Sequence, residues 1–120
     1  MSDLKLGMVE ARFADIVWNN APMTTRELAI LCEKELKWKR TTTYTVLKKL
    51  CDKGIFQNVN GIVSSIMSKE AFYATKSEQF VQDTFQGSLP AFLAAFTSGK
   101  RLTDQEVAQL RQLVQEHEEK

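Results

Sequence analysis

The chain has 120 residues, 43% of them hydrophobic and 26% charged, with a formal net charge of +1 at pH 7. This length is enough for one domain, or for one small domain with a dependent extension. Apolar runs are shorter than the roughly 18–20 residues of a membrane span, and the N-terminus lacks the pattern of a secretory signal. These features predict a cytoplasmic protein that does not insert into a membrane.

Residues that commonly carry catalysis or bind metals are few. Cys32 and Cys51 lack CxxC spacing and fall in predicted helices, which favours two free thiols over the one disulfide that they could form. His117 lies in a charged C-terminal segment, and the sequence contains no glycine-rich phosphate loop. We therefore expect no enzyme activity, no cofactor and no metal site.

Basic residues are concentrated in one short segment. Residues 37–53 contain six Lys or Arg residues and a single Asp, a net charge of +5 within a chain that is almost neutral. A segment of this kind can attract a polyanion, although the solvated face of a helix explains the charge equally well.

Two helical patterns come first along the chain. Apolar residues recur at i, i+4, i+7 and i+8, which predicts a helix over residues 6–19. The apolar stripe of this helix consists of Val9, Phe13, Ile16 and Val17. Thr24 and Glu27 then have the spacing of a capping box, which predicts the start of a second helix. Its expected buried residues are Leu28, Leu31, Cys32 and Leu36.

A third helix and a hairpin follow. The third helix is predicted over residues 41–53, and Gly54 stands where a left-handed residue commonly ends a helix. Strand-like residues then flank Asn60-Gly61, a pair that tolerates positive φ at both positions and predicts a β-hairpin. Three helices and a hairpin form a winged helix, so residues 1–68 are expected to be a winged helix-turn-helix domain.

The remaining residues, 69–120, are helical again. A long helix is predicted over residues 69–85, with Phe72, Tyr73, Phe80, Val81 and Phe85 as candidates for burial. Ser88 can cap a short helix, and Thr103 and Glu106 form a capping box for the last one. The fold class expected for the whole chain is thus mainly α with a small β-hairpin: a winged helix-turn-helix domain plus a helical tail.

This tail is rich in apolar side chains, but it is too thin to enclose a core of its own. Pairing with a second copy would bury these side chains, which predicts a homodimer; the alternative is that the tail folds back onto its own winged helix. The candidate dimerisation residues are Phe85, Leu89, Phe92, Leu93, Phe96, Leu110, Leu113 and Val114.

The third helix has one apolar and one polar side. Thr43, Val46, Leu47 and Leu50 share the apolar side. On the other side, hydroxyl groups suit phosphates and base edges, lysines suit phosphates, and the helix N-terminus favours an anion. The candidate DNA-binding residues on the polar side and its flanks are Arg40, Thr41, Thr42, Tyr44, Thr45, Lys48 and Lys49.

The segment from Trp38 to Gly54, WKRTTTYTVLKKLCDKG, resembles a family signature. It is similar to the recognition helix of the BlaI/MecI/CopY (penicillinase repressor) family of bacterial repressors, approximately W-x-x-T-T-V-x-T-x-L-x-R-L-x-x-K-G. Glu10, the Ile16-Val17-Trp18 segment and the segment that begins at Gly87 also match. The resemblance implies a transcriptional repressor whose homodimer binds a dyad operator in double-stranded DNA, often with TACA/TGTA half-sites. It also implies a membrane metalloprotease sensor as a partner that relieves repression by cutting the dimerisation region.

The sequence departs from the family pattern at several places. The predicted wing, residues 57–65, lacks the usual Arg or Lys and aromatic residue, and Lys49 stands where Arg is usual. Ala95-Phe96 occupies the place of the Asn-Phe bond that is cut in penicillinase repressors, which makes it a candidate proteolytic site. The C-terminus lacks the Cys-x-Cys motifs of the copper-responsive branch, which excludes copper sensing by those ligands. The non-basic wing also favours an alternative function, a winged-helix protein–protein interaction module with little affinity for DNA.

Overall fold

The computed structural model describes residues 6–120. The chain divides into two compact units, an N-terminal unit that ends at Ser77 and a C-terminal unit from Glu78 to Lys120. The elements in chain order are α1 (Met8–Asn20), β1 (Met23–Thr24), α2 (Thr25–Leu36), α3 (Arg40–Asp52), β2 (Phe56–Val59), β3 (Ile62–Ser65), α4 (Lys69–Phe85), α5 (Leu89–Gly99) and α6 (Asp104–Glu118). Within this described part, no helix is long and apolar enough to cross a membrane. The predicted fold class is confirmed: a winged helix followed by a helical tail.

Local features mark the start of α2 and the ends of α2 and α3. The Thr24 hydroxyl accepts a hydrogen bond from the Glu27 amide at 3.0 Å, so α2 begins where the capping pattern predicts. Lys37 ends α2 in a left-handed conformation, with φ of 60°. Gly54 follows α3 with φ of +83°, as predicted from its position in the sequence.

The sheet has three antiparallel strands in the order β1-β3-β2. Asn60 and Gly61 connect β2 to β3 with φ of 53° and 81°, the positive values that the Asn-Gly pair predicts. The two-residue strand β1, which no sequence pattern indicates, pairs Thr24 with Ile62 directly beside this turn. The Thr25 amide also donates to the Gly61 carbonyl at 2.9 Å. The wing is therefore a short hairpin that is tied to the start of α2.

The core of the N-terminal unit forms between the three helices and the sheet. Phe13, Leu28 and Leu50 from α1, α2 and α3 are fully buried, and Phe56 and Val63 contribute from the hairpin. The buried stripe of α1 is shorter than the sequence predicts, because Val9 is exposed whereas Phe13 is fully buried.

Trp18 connects the winged helix to the first turns of α4. Its indole Nε1 donates to the Met67 carbonyl at 3.0 Å, and its ring lies 5.5 Å from that of Phe56 and 5.4 Å from that of Phe72. Phe72 is fully buried, so the core of the N-terminal unit includes a side chain from beyond residue 68. Tyr73, which we also expected to be buried, is exposed, although its ring lies 6.4 Å from that of Trp18.

The C-terminal unit contains a loose aromatic cluster. The Phe92 ring lies 5.6 Å from the Phe85 ring, 5.9 Å from Phe80 and 6.3 Å from Phe96. Of the residues expected to be buried here, Phe80 is exposed, and Val81 and Phe85 are only half-buried. Within the residues that the structure describes, α5 and α6 contain no buried side chain. The helices themselves begin as predicted, since the Thr103 hydroxyl and the Glu106 carboxylate form the expected capping box.

The conformation of Gly61 leads to a first prediction. A Cβ atom at Gly61 would meet nothing within 4 Å, so replacement affects only the backbone at φ of +81°. We expect Gly61→Ala to lower the free energy of unfolding by about 1–2 kcal/mol, because the left-handed backbone conformation is unfavourable for alanine. Gly61→Asn is the matched control: it is larger but tolerates positive φ, so its loss in urea denaturation should be smaller. An equal loss for both variants would show that Gly61 does not stabilise the fold through its tolerance of positive φ.

Candidate nucleic-acid interface

The inner face of α3 fixes the helix to the core. Thr43, Leu47 and Leu50 are buried, as their spacing predicts. The Thr43 hydroxyl also donates to the carbonyl of Lys39 at 3.4 Å, which satisfies this buried polar group within the helix. Because one face of the helix is held in this way, the direction of every side chain on the opposite face is determined.

All candidate DNA-binding residues lie on the outer face or flanks of α3 and are exposed. They are Arg40, Thr41, Thr42, Tyr44, Thr45, Lys48 and Lys49. The helix begins at Arg40 rather than at Thr41 and ends at Asp52, a shift of the kind expected for helix boundaries.

The N-terminus of α3 is open to an anion. Lys39 is its N-cap, and in the described chain no side-chain hydrogen bond caps the helix and its first turn contains no acidic residue. The first backbone amides of a helix have no acceptor within the helix and carry a partial positive charge. Arg40, Thr41 and Thr42 carry these amides in the first turn, so this end of α3 can bind a phosphate group.

Thr45 has its hydroxyl proton engaged by the helix itself. Its Oγ1 donates to the carbonyl of Thr41 at 2.9 Å. Thr45 is exposed, and its hydroxyl oxygen retains two lone pairs that can accept. Thr45 can therefore accept a hydrogen bond from a base or contact a thymine methyl group, but in this rotamer it does not donate outward.

The two adjacent lysines of α3 have different environments. Lys48 Nζ lies 3.3 Å from Asp52 Oδ2, one turn along the same helix, and the two side chains are 80% and 68% exposed. Lys49 Nζ lies 3.2 Å from Oε2 of Glu10 on α1, with exposures of 55% and 22%. Glu10 could not be found from the sequence as a partner of α3, because Glu10 and Lys49 are far apart in the chain and only the packing of α1 beside α3 brings them together.

The wing presents neutral groups. Gln57 Nε2 donates to the Ser64 hydroxyl across the hairpin at 3.0 Å, and Val59 and Ile62 are exposed near the turn. Residues 56–65 contain neither Arg nor Lys. The wing can therefore offer backbone amides and polar side chains to a phosphate, but no positive charge.

The candidate residues of the tail belong to α4, α5 and α6. Leu89, Phe96, Leu113 and Val114 are exposed, whereas Phe85, Phe92, Leu93 and Leu110 are half-buried. An open groove of about 620 Å³ runs along α6 and is lined in part by Val107, Leu110 and Val114. The Ala95-Phe96 bond lies within α5.

The described residues contain neither a candidate metal site nor a disulfide bond. Across residues 6–120, no group of His, Cys, Asp or Glu side chains could hold a metal ion. Both Cys32 and Cys51 are free thiols, which confirms the expectation from their spacing.

A winged helix whose third helix presents threonine and lysine side chains is typical of winged helix-turn-helix transcription regulators. The family model described as Penicillinase repressor matches residues 6–116, so the chain belongs to the penicillinase repressor family. The chain is also 21% identical over 112 residues to the penicillinase repressor of Bacillus licheniformis, which covers 90% of this chain and 88% of that protein. The family consists of transcriptional repressors and is not enzymatic.

The cysteines beneath and beside α3 provide a second prediction. Burial raises the pKa of the Cys32 thiol, although its hydrogen bond with Thr43 acts in the opposite direction. Burial, with a smaller effect from Asp52, also raises the pKa of Cys51. A raised thiol pKa stabilises the folded state below the pKa of the unfolded chain, and this contribution is lost as the pH rises through the folded value.

At pH 8, iodoacetamide should therefore modify Cys32 at least tenfold more slowly in the folded protein than in guanidinium chloride, because the thiolate is the nucleophile. Cys51, which is only partly buried, should react faster than Cys32. Mass spectrometry of Cys51→Ser and Cys32→Ser variants separates the two rates. If Cys32 reacted as fast in the folded protein as in guanidinium chloride, its burial in the core would be contradicted.

Proposed function

We propose that this chain is a dimeric transcriptional repressor that binds a dyad operator in double-stranded DNA through α3. The exposed Thr and Lys face of α3, held in one orientation by the buried Thr43, Leu47 and Leu50, is the observation that carries the proposal. A helix of 13 residues fits the major groove, where base pairs present distinct patterns of donors and acceptors.

The residues of α3 divide by their chemistry in this proposal. Arg40, Thr41 and Thr42 position a phosphate at the helix N-terminus. Tyr44 and Thr45 face base edges, where Thr45 contributes an acceptor and a methyl group. Lys48 contacts phosphate and releases counterions. Since the wing has no positive charge, α3 and its N-terminal loop supply most of the affinity.

Dimerisation is assigned to residues 69–120, and DNA binding to residues 1–68. The exposed Leu113 and Val114 lie on α6, and Leu89 and Phe96 lie on α5. A second copy of the same surface would cover these side chains in a two-fold arrangement. Two copies of α3 would then read half-sites separated by a multiple of the roughly 34 Å helical turn.

Relief of repression by a membrane metalloprotease is part of the proposal through family resemblance. The candidate bond, Ala95-Phe96, lies inside α5, where the Thr97 and Ser98 hydroxyls donate to carbonyls of the preceding turn. Proteases bind extended peptides, so α5 must open locally before it can be cut. A protein that is stabilised as a dimer would open this helix less often.

A second candidate function, a protein–protein interaction module, is favoured by the neutral wing with its exposed Val59 and Ile62. Salt dependence separates the two candidates. A repressor with about six phosphate contacts should lose roughly 10³-fold in affinity for an operator between about 50 and 200 mM salt. A protein module should bind no duplex tightly at any salt concentration.

A third prediction tests the division of roles on α3 with a duplex enriched from a random DNA library. Lys48→Ala should weaken binding equally to the enriched duplex and to a scrambled duplex, and should lower the salt slope by about 0.9. Thr45→Ala should instead reduce the preference for the enriched sequence by about 1–3 kcal/mol. Fluorescence anisotropy titrations at four salt concentrations measure both effects.

Lys100→Ala is the control for charge, because it removes one exposed positive charge from the C-terminal unit. It should leave the salt slope within a few tenths of the value for the unmodified protein. A Lys48→Ala variant that changes which sequence is preferred would show that Lys48 reads a base.

A fourth prediction tests the assigned dimer surface. Leu113→Asp should yield a protein near 13.7 kDa in sedimentation equilibrium, whereas the unmodified chain should sediment near twice this mass, because a carboxylate cannot be buried unpaired. Gln105→Asp, at an exposed position on the first turn of α6, is the matched control and should remain dimeric. If the Leu113→Asp protein sediments at the mass of a dimer, this surface is not part of the interface.

A further inference from the structure

Glu10 holds the ammonium group of Lys49 at the edge of the recognition helix. Lys49 Nζ lies 3.2 Å from Oε2 and 3.4 Å from Oε1 of this carboxylate. The Gly7 amide donates to Oε1 at 3.4 Å, so the carboxylate is also attached to the start of α1. The ion pair therefore joins two helices and is not a contact between neighbouring turns.

The pair formed by Lys48 and Asp52 differs in each of these respects. Both of its side chains are more than two-thirds exposed and belong to the same helix, and exposed pairs of this type contribute little. Glu10, by contrast, is only 22% exposed, so its carboxylate is less screened by water. Of these two lysines, Lys49 is the one with the more firmly held counter-charge.

Lys49 nevertheless remains within reach of a DNA backbone. Its side chain is 55% exposed, and neighbouring residues of a helix point about 100° apart, which places it on the flank of the reading face that carries Lys48. A phosphate approaching this flank must compete with Glu10 for the ammonium group. It also meets the negative charge of Glu10 itself.

We propose that Glu10 limits the affinity of the protein for DNA of any sequence by holding Lys49 in an ion pair. This inference rests on the proposed binding of DNA by α3. Phosphate contacts are independent of sequence, so a lysine withheld from them lowers the affinity for specific and non-specific DNA by the same factor and leaves base readout unchanged. The ratio of specific to non-specific affinity therefore stays the same, and Glu10 sets the absolute affinity.

The experiment compares the full chain with Glu10→Gln on two probes, a duplex enriched from a random library and a scrambled duplex of the same composition. Glutamine retains an oxygen for the Gly7 amide but has no charge to hold Lys49. We expect Glu10→Gln to bind the scrambled duplex roughly five- to tenfold more tightly at 0.1 M salt, with a salt slope steeper by about 0.9. Binding to the enriched duplex should gain by about the same factor, so the preference for the enriched sequence should be unchanged.

Two further variants make the result specific to the pair. Glu33→Gln removes an exposed carboxylate of α2 and makes the same change in net charge, so it should have a smaller effect on the slope. In a Lys49→Met background, Glu10→Gln should no longer steepen the slope, because there is no ammonium group to release. Thermal unfolding followed by circular dichroism verifies that each variant is folded.

The outcomes distinguish this inference from the proposed function. If the unmodified chain binds neither duplex, the proposed function fails. If it binds with the expected salt dependence but Glu10→Gln behaves identically, only the role of Glu10 is overturned. A folded Glu10→Gln protein that loses affinity for both duplexes would also overturn it, because Glu10 would then serve to present Lys49 to DNA.

Discussion

The burial of one stripe of α3 is the interaction on which the rest of the structure depends. Thr43, Leu47 and Leu50 lie against the core formed with α1, α2 and the hairpin, and their burial leaves the helix no freedom to rotate. Each large side chain buried in this way stabilises the fold by roughly 1.5–3 kcal/mol. Because the stripe is fixed, the threonines and lysines on the other side form one continuous polar surface. In the proposed function, this surface needs little reordering when it binds DNA, which limits the entropic cost of association.

The charges on this surface are partly compensated within the protein. Asp52 lies beside Lys48, and Glu10 lies beside Lys49 on the flank that meets α1. At the N-terminus of α3 the described residues show no such compensation, since the first turn contains no acidic residue and no side-chain hydrogen bond caps it. In the proposed function, the strongest attraction for phosphate is therefore at the N-terminus of the helix. The short and neutral wing adds no positive charge to it, so the proposed function places most of the affinity on α3.

Much of the fold could be predicted from the sequence, because its signals are local. The capping residue Thr103, the Asn60-Gly61 turn and the bounds of the fourth helix depend on neighbours in the chain, and the structure confirms them. Strand β1 could not be found, since two residues form no pattern and the strand exists through its pairing with β3. The ion pair of Glu10 was missed for the same reason, as it depends on how α1 and α3 pack. Apolar spacing also indicates which residues share a helix face but not what covers it, and Phe80 is therefore more exposed than we expected.

The central claim is that α3 is the surface that contacts DNA. The most direct measurement is an NMR titration of ¹⁵N-labelled protein with a duplex enriched from a random library, followed residue by residue. If α3 contacts DNA, the largest chemical-shift changes should occur in Arg40–Asp52, with the greatest effects at its N-terminal turn. Residues 57–64 of the wing should change less. Changes confined to the wing, or the absence of changes in α3 when the duplex is bound, would contradict the account.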